Sequence, residues 1–153
     1  MQTHTGNILQ VERGIIIQQV NAQGVMASGI AKAIREKYPQ VYVEYSEYVG
    51  PAYSRQDGGL SILGDQVITA VSNDLLIISI VAQQYFGRDG KRYTSYDALD
   101  KGFYAVSDFI KQADLNDIEV HHPKIGAGLG GGDWGVIEAI IRCHLPNTHL
   151  WVL

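Results

Sequence analysis

Apolar positions along the chain fall into two rhythms. Gly14-Ile15-Ile16-Ile17-Gln18-Gln19-Val20 is a β-branched run of strand length, apolar enough for the centre of a sheet. Leu75-Leu76-Ile77-Ile78-Ser79-Ile80-Val81 reads as a second strand, buried on both faces. Elsewhere the period lengthens to that of a helix face: Ile30, Ala31, Ile34 and Tyr38; Val41, Tyr45 and Tyr48; Tyr96, Leu99, Phe103, Val106 and Ile110; Trp134, Ile137, Ile141 and Leu145.

Capping and turn residues divide these runs. Ser28 suits an N-cap for the first helix and Pro39 closes it; a short second helix follows over 41–49, then a polar loop over 50–59. Thr94 to Asp97 fits a capping box, which opens a helix running to about Ala113. Ser72-Asn73-Asp74 joins strands over 61–71 and 75–83 into a hairpin, and shorter strands are predicted at 1–5, 116–120 and 148–153. Helices alternating with strands, interrupted by one hairpin, predict an α/β domain spanning 1–153, with a mixed sheet covered on both faces.

The most informative loop is His121-His122-Pro123-Lys124-Ile125-Gly126-Ala127-Gly128-Leu129-Gly130-Gly131-Gly132-Asp133-Trp134-Gly135, between the strand ending at Val120 and the last helix. Glycines free the backbone to turn its N–H groups toward a ligand, and the helix N-terminus adds partial positive charge, which suits a phosphate or diphosphate. A P-loop is excluded because Asp133 and Trp134 follow Gly132 where Lys-Ser/Thr is required. Gly126, Gly128 and Gly131 match the dinucleotide spacing, but the last strand carries no acid, so that fold is excluded too. A second strand–polar loop–helix junction runs from Asn21-Ala22-Gln23-Gly24 to Ser28. In open α/β sheets, loops at the strands' carboxyl ends form the binding crevice.

Composition narrows the ligand. Of 153 residues 46% are hydrophobic and 18% charged, ordinary for a globular protein, and the net charge of −4 argues against direct binding of a nucleic-acid backbone. No signal-peptide pattern or membrane-length apolar run is present, so an intracellular, cytoplasmic protein without membrane partners is expected. The single cysteine, Cys143, is expected to pack as a small apolar residue on the last helix, and the tyrosines at 38, 42, 45, 48 and 53 as packing groups. No spacing of His, Cys or acids implies a metal, and no cofactor is implied. The loop over 84–92 offers Arg88, Lys91 and Arg92 either as a solvated tip or as anion contacts. Of the adjacent His121 and His122, at most one is expected to face the cleft.

Three segments, Gln19-Val20-Asn21-Ala22-Gln23-Gly24, Ser28-Gly29-Ile30-Ala31 and Pro123-Lys124-Ile125-Gly126-Ala127-Gly128-Leu129, together resemble a macro domain. The likeness spans essentially the whole chain and is nearest the compact branch of ADP-ribose 1″-phosphate phosphatases and terminal ADP-ribose glycohydrolases. It implies a three-layer α/β/α fold that binds ADP-ribose or its derivatives, including ADP-ribosylated macromolecules. By position, it implies that Asn7 and Ile8 meet the adenine, and that Asn21 lies near the distal ribose. It also implies that Ser28, Gly29 and Ile30 offer backbone contacts to the phosphates, while Gly126, Ala127, Gly128, Leu129, Gly130 and Gly131 form the diphosphate loop.

The departures concern catalysis. Glycohydrolases of that branch carry a lysine after the fourth strand and an aspartate after Gly-Leu; here the positions hold Ala82-Gln83-Gln84 and Gly130. Where phosphatases carry a histidine before the Asn loop, Gln18 or Gln19 stands. Asp133 is the remaining candidate base, with Asn21 beside it as a catalytic candidate; the same Asp133 also suits a plain helix cap. Two classes of function follow: an enzyme that hydrolyses a phosphate or an ADP-ribosyl ester from the distal ribose, with ADP-ribose 1″-phosphate the foremost substrate and an ADP-ribosyl glycohydrolase the alternative, or a reader that binds ADP-ribose without turnover.

Overall fold

The computed structural model describes residues 1–54 and 57–153. Its six strands are β1 (Gln2–Thr5), β2 (Gly14–Asn21), β3 (Gln66–Ala70), β4 (Leu75–Gln83), β5 (Val120–His122) and β6 (Thr148–Val152). Its four helices are α1 (Gly29–Lys37), α2 (Pro39–Tyr53), α3 (Tyr96–Gln112) and α4 (Trp134–His144). One sheet takes the order β1-β6-β5-β2-β4-β3, and every pairing is parallel except the β3–β4 hairpin.

The isoleucine run of β2 explains the three layers. Successive side chains alternate across the pleat. Ile16 and Val20 therefore pack with Ile34 of α1 and with Val41, Tyr45 and Val49 of α2. Ile15 and Ile17 pack on the opposite face with Leu99, Phe103 and Val106 of α3 and Ile137 and Ile141 of α4. Only a strand buried on both faces satisfies both layers, so β2 and β4 sit in the interior of the sheet, neither at an edge.

Several predicted boundaries shift. The strand expected at 116–120 is instead β5 at 120–122, because the segment before it turns: Asp114 is left-handed and Ile118 N–H closes onto the Leu115 carbonyl. The first hairpin strand contracts to β3, preceded by a 3-10 helix over Leu60–Ile62 and by Gly64 at φ +91°. Pro39 opens α2 as well as closing α1, since proline suits a helix's first turn. That helix runs on to Tyr53, so the expected loop over 50–59 starts later, and part of it, 55–56, lies outside the described residues. Tyr48 is exposed rather than on the buried stripe; Val49 takes that place. The cap of α3 is Ser95, whose hydroxyl accepts from Ala98 N–H, and not Thr94, which is buried. Cys143 is exposed, contrary to the expected packing. It lies two positions beyond Ile141, about 200° around the helix from the core stripe.

No helix among the described residues is long and apolar enough to cross a membrane.

Candidate functional site

Parallel strands end on one side of the sheet, and the loops leaving β2, β4 and β5 meet there around a cleft of about 380 Å³. One wall is the β2–α1 loop with Asn21, Ser28, Gly29 and Ile30; the other is the glycine loop with Gly126, Gly128, Leu129 and Gly130. Phe86 and Arg88, from the β4–α3 loop, complete the rim.

Asn21 builds the first wall. Its Oδ1 accepts from the Gln23 and Val25 N–H groups at 3.0 and 3.2 Å, and from the Tyr45 hydroxyl at 2.8 Å. Its Nδ2 donates to the Val25 carbonyl at 2.8 Å, leaving one N–H for a ligand. Burial pushes the Tyr45 phenol up, so it stays protonated and able to donate. Behind this loop α1 begins without a side-chain cap. The N–H groups of Gly29, Ile30 and Ala31 make no hydrogen bond among the described residues, as expected of a helix's first turn. In the glycine loop the N–H groups of Gly128, Leu129 and Gly130 are likewise unpaired. Two cradles of open amides therefore line one cleft.

Its floor is neutral and its charges are positive. The lining includes Gln19 and Gln83, whose carboxamides hydrogen-bond at 2.7 Å, and among the described residues its ionisable side chains are Arg88 and Lys124. No carboxylate or imidazole among the described residues lines it. Gln19 Oε1 is buried with no partner among the described residues, a situation that costs about 1–3 kcal/mol unless a water or ligand donor fills it.

Other sequence candidates lie elsewhere. Asn7 caps the 3-10 helix Ile8–Gln10 by accepting from Leu9 N–H at 2.9 Å, and Ile8 is buried in the core on the α1–α2 face; neither lines the cleft. Ala127 packs into the α3–α4 core, and Gly131 backs onto the Lys91 carbonyl. Asp133 is an exposed cap of α4: its Oδ1 accepts from Val136 N–H at 3.1 Å, and it is absent from the lining. Arg92 stacks on Tyr96 and Lys91 pairs with Asp89, so of the three loop cations only Arg88 reaches the cleft.

Neither histidine of the 121–122 pair enters the cleft. His122 bonds to the Pro123 carbonyl and the Thr148 hydroxyl at 2.8 and 2.9 Å, and burial holds its pKa down at about 4. The His121 ring is also held down, first by burial and then by His149, on which it stacks.

This geometry can be set beside known proteins. The family model described as Macro domain matches residues 17–141, most of the chain and both walls of the cleft.

The chain belongs to the macro domain family.

Among its relatives is a protein named DNA ADP-ribosyl glycohydrolase from Mycobacterium tuberculosis, 23% identical over 134 residues, which cover 88% of this macro domain and 35% of the relative. A DNA ADP-ribosyl transferase–glycohydrolase fusion protein of Thermosipho africanus is 20% identical over 143 residues, with 86% and 35% covered. This macro domain thus spans about a third of the length of these relatives. A solved Bacteroides thetaiotaomicron structure of unknown function superposes with TM-score 0.84 at 23% identity, covering 99% of this chain and 97% of that one. The macrodomain of Mycobacterium tuberculosis DarG gives 0.76 at 21%, covering 99% and 97%. At these identities the superpositions establish the three-layer fold.

Sequence reasoning missed Phe86 and the floor role of Gln19 and Gln83. A Tyr85-Phe86 pair in a polar loop just past a buried strand was the available signal. The glutamines gave none, because only the β2–β4 register brings them together.

Proposed function

We propose that this macro domain binds ADP-ribose, with the diphosphate held between the open amides of α1 and of the glycine loop. The observation that carries this reading is that Gly29, Ile30 and Ala31 line the same cleft as Gly128, Leu129 and Gly130, and that the N–H groups of all six are unpaired among the described residues. Backbone amides and a helix N-terminus bind phosphates without bringing a net-positive surface, which agrees with a chain of net charge −4. Arg88 and Lys124 add local charge, and among the described residues no carboxylate in the lining opposes an anion. Asn21 keeps one N–H for the distal ribose. Calorimetry with ADP-ribose should give saturable binding, with AMP markedly weaker. No heat from ADP-ribose at millimolar concentration removes the reading.

A second reading adds hydrolysis. The two cations of the lining suit a terminal phosphate better than an uncharged leaving group, which favours ADP-ribose 1″-phosphate over an ADP-ribosyl linkage. Gln83 and Gln84 stand where the resemblance expects the reactive lysine of a glycohydrolase, and Asp133 is turned to capping. Such a phosphatase relies on amide dipoles and positioning. The names of the relatives make ADP-ribosylated DNA the competing substrate. Released phosphate from the first and released ADP-ribose from the second, measured side by side, separate a phosphatase, a glycohydrolase and a reader.

A further inference from the structure

Beneath the glycine loop runs a chain of side-chain hydrogen bonds whose direction is fixed. The Tyr85 carbonyl can only accept, so the Gln83 Nε2 faces it, at 2.8 Å. Gln83 Oε1 is thereby turned to Gln19 and must receive a donor, which sets Gln19 Nε2 against it at 2.7 Å. The same Nε2 gives its second hydrogen to Thr94 Oγ1 at 2.8 Å. The Thr94 hydroxyl, already accepting, donates to the Gly126 carbonyl at 2.9 Å. That carbonyl also receives Gly132 N–H at 2.8 Å, which fills both of its lone pairs. A few residues on, the Gly130 carbonyl takes the Tyr93 and Thr94 N–H groups at 2.8 and 3.0 Å.

The Thr94 hydroxyl therefore holds the Gly126 carbonyl, and the Tyr93 and Thr94 backbone amides hold the Gly130 carbonyl, so both ends of the 126–130 turn are fixed against the body of the protein. Among the described residues, the N–H groups of Gly126, Gly128, Leu129 and Gly130 remain unpaired in this turn, which lines the cleft. A peptide flipped here would present an oxygen to the ligand in place of a donor, and glycines make such a flip easy. Something outside the loop must hold its orientation. Thr94 is 2% exposed, forms an isolated antiparallel bridge with Gln83 at the end of β4, and touches both ends of the turn.

We propose that Thr94, aligned by Gln19, is a positioning residue that sets the glycine loop to offer donors rather than acceptors, and so fixes the cleft's preference for a phosphate-bearing ligand. This rests on the ADP-ribose reading for its ligand, but the alignment itself exists in the free protein. It predicts that deleting one hydroxyl, outside the ligand's reach, weakens binding as a contact residue does. It also predicts that Gln19→Glu, equal in shape, fails as well: the new carboxylate draws the Thr94 hydroxyl toward itself and releases the Gly126 carbonyl.

The test combines calorimetry with amide hydrogen exchange on the full chain. Thr94→Val should weaken ADP-ribose by about tenfold or more, a loss near 1.4 kcal/mol, and speed exchange of Gly132 N–H in the unliganded protein. Thr94→Ser restores the hydroxyl and should bring both quantities back to within about threefold of wild type. A thermal melt confirms that each variant is folded. Wild-type affinity in Thr94→Val, or unchanged Gly132 exchange, overturns the proposal; so does a Thr94→Ser variant as impaired as the valine. Should wild type not bind ADP-ribose at all, the functional reading falls, and exchange alone then decides whether the alignment exists.

Discussion

A Cβ built on Gly128 meets no atom within 4 Å, and the residue's φ is not in the left-handed range, yet it lines the cleft. Gly128→Val therefore fills ligand space without disturbing the protein. Its stability should stay within about 1 kcal/mol of wild type, as for other exposed, unstrained substitutions. Binding should suffer far more. Three added carbons in a cleft of about 380 Å³ hold the ligand off the Gly128 and Leu129 amides. A hydrogen bond to a charged group is worth about 1.5–3 kcal/mol net. Losing one costs about tenfold to hundredfold in affinity at 1.4 kcal/mol per decade. Calorimetry with ADP-ribose, paired with a thermal melt, reads both quantities. A folded Gly128→Val protein within twofold of wild-type affinity would mean that the glycine loop is only a turn. Gly130 is a poorer probe, because its Cβ falls 2.4 Å from Thr94 Oγ1 and 2.9 Å from the Gly126 carbonyl oxygen, so a loss there would mix binding with loop damage.

Asp133→Ala removes the cap of α4 and should lower stability by about 1 kcal/mol in denaturant melts while leaving ADP-ribose affinity unchanged. A phosphate-release rate cut about a hundredfold in that variant would instead make Asp133 a general base. Gly102→Ala places a Cβ 2.4 Å from Ile80 Cγ2. The overpacking, about 1–3 kcal/mol, should outweigh the gain in helix propensity, about 1 kcal/mol; a more stable variant refutes that balance. His122 is held neutral in the fold at a pKa of about 4 against 6.5 when unfolded. Its contribution is fully present above pH 6.5 and is lost as pH falls toward 4, on the order of 3 kcal/mol for a shift of that size. Urea midpoints measured from pH 7 to 4 should show this slope, and His122→Gln should flatten it; an equal slope in the variant assigns it to other groups.

The alternating β-branched runs, the helical stripes and the two strand–loop–helix junctions were legible in the chain itself. Periodicity and turn chemistry are written between near neighbours, and both cleft walls lie within such local patterns. Ser28, Gly29, Ile30, Gly126, Gly128, Leu129 and Gly130 were named from sequence and line the cleft. Tertiary structure alone decided which loops meet. Asn7 follows β1 at the sheet's edge, with β6 and β5 between β1 and β2, and its side chain is spent on its own 3-10 turn. Asp133 follows the right loop but begins a helix, and the open amide of Val136 claims its carboxylate first. Gln19, Gln83 and Thr94 are separated by up to 75 residues in sequence, and no local rule joins them. The parallel register of β2 and β4 carries Gln19 and Gln83 to the same end of the sheet, and the β4–α3 connection brings Thr94 beneath the turn. Hydrogen bonds across strands depend on which strands are neighbours, and that choice belongs to the packed whole.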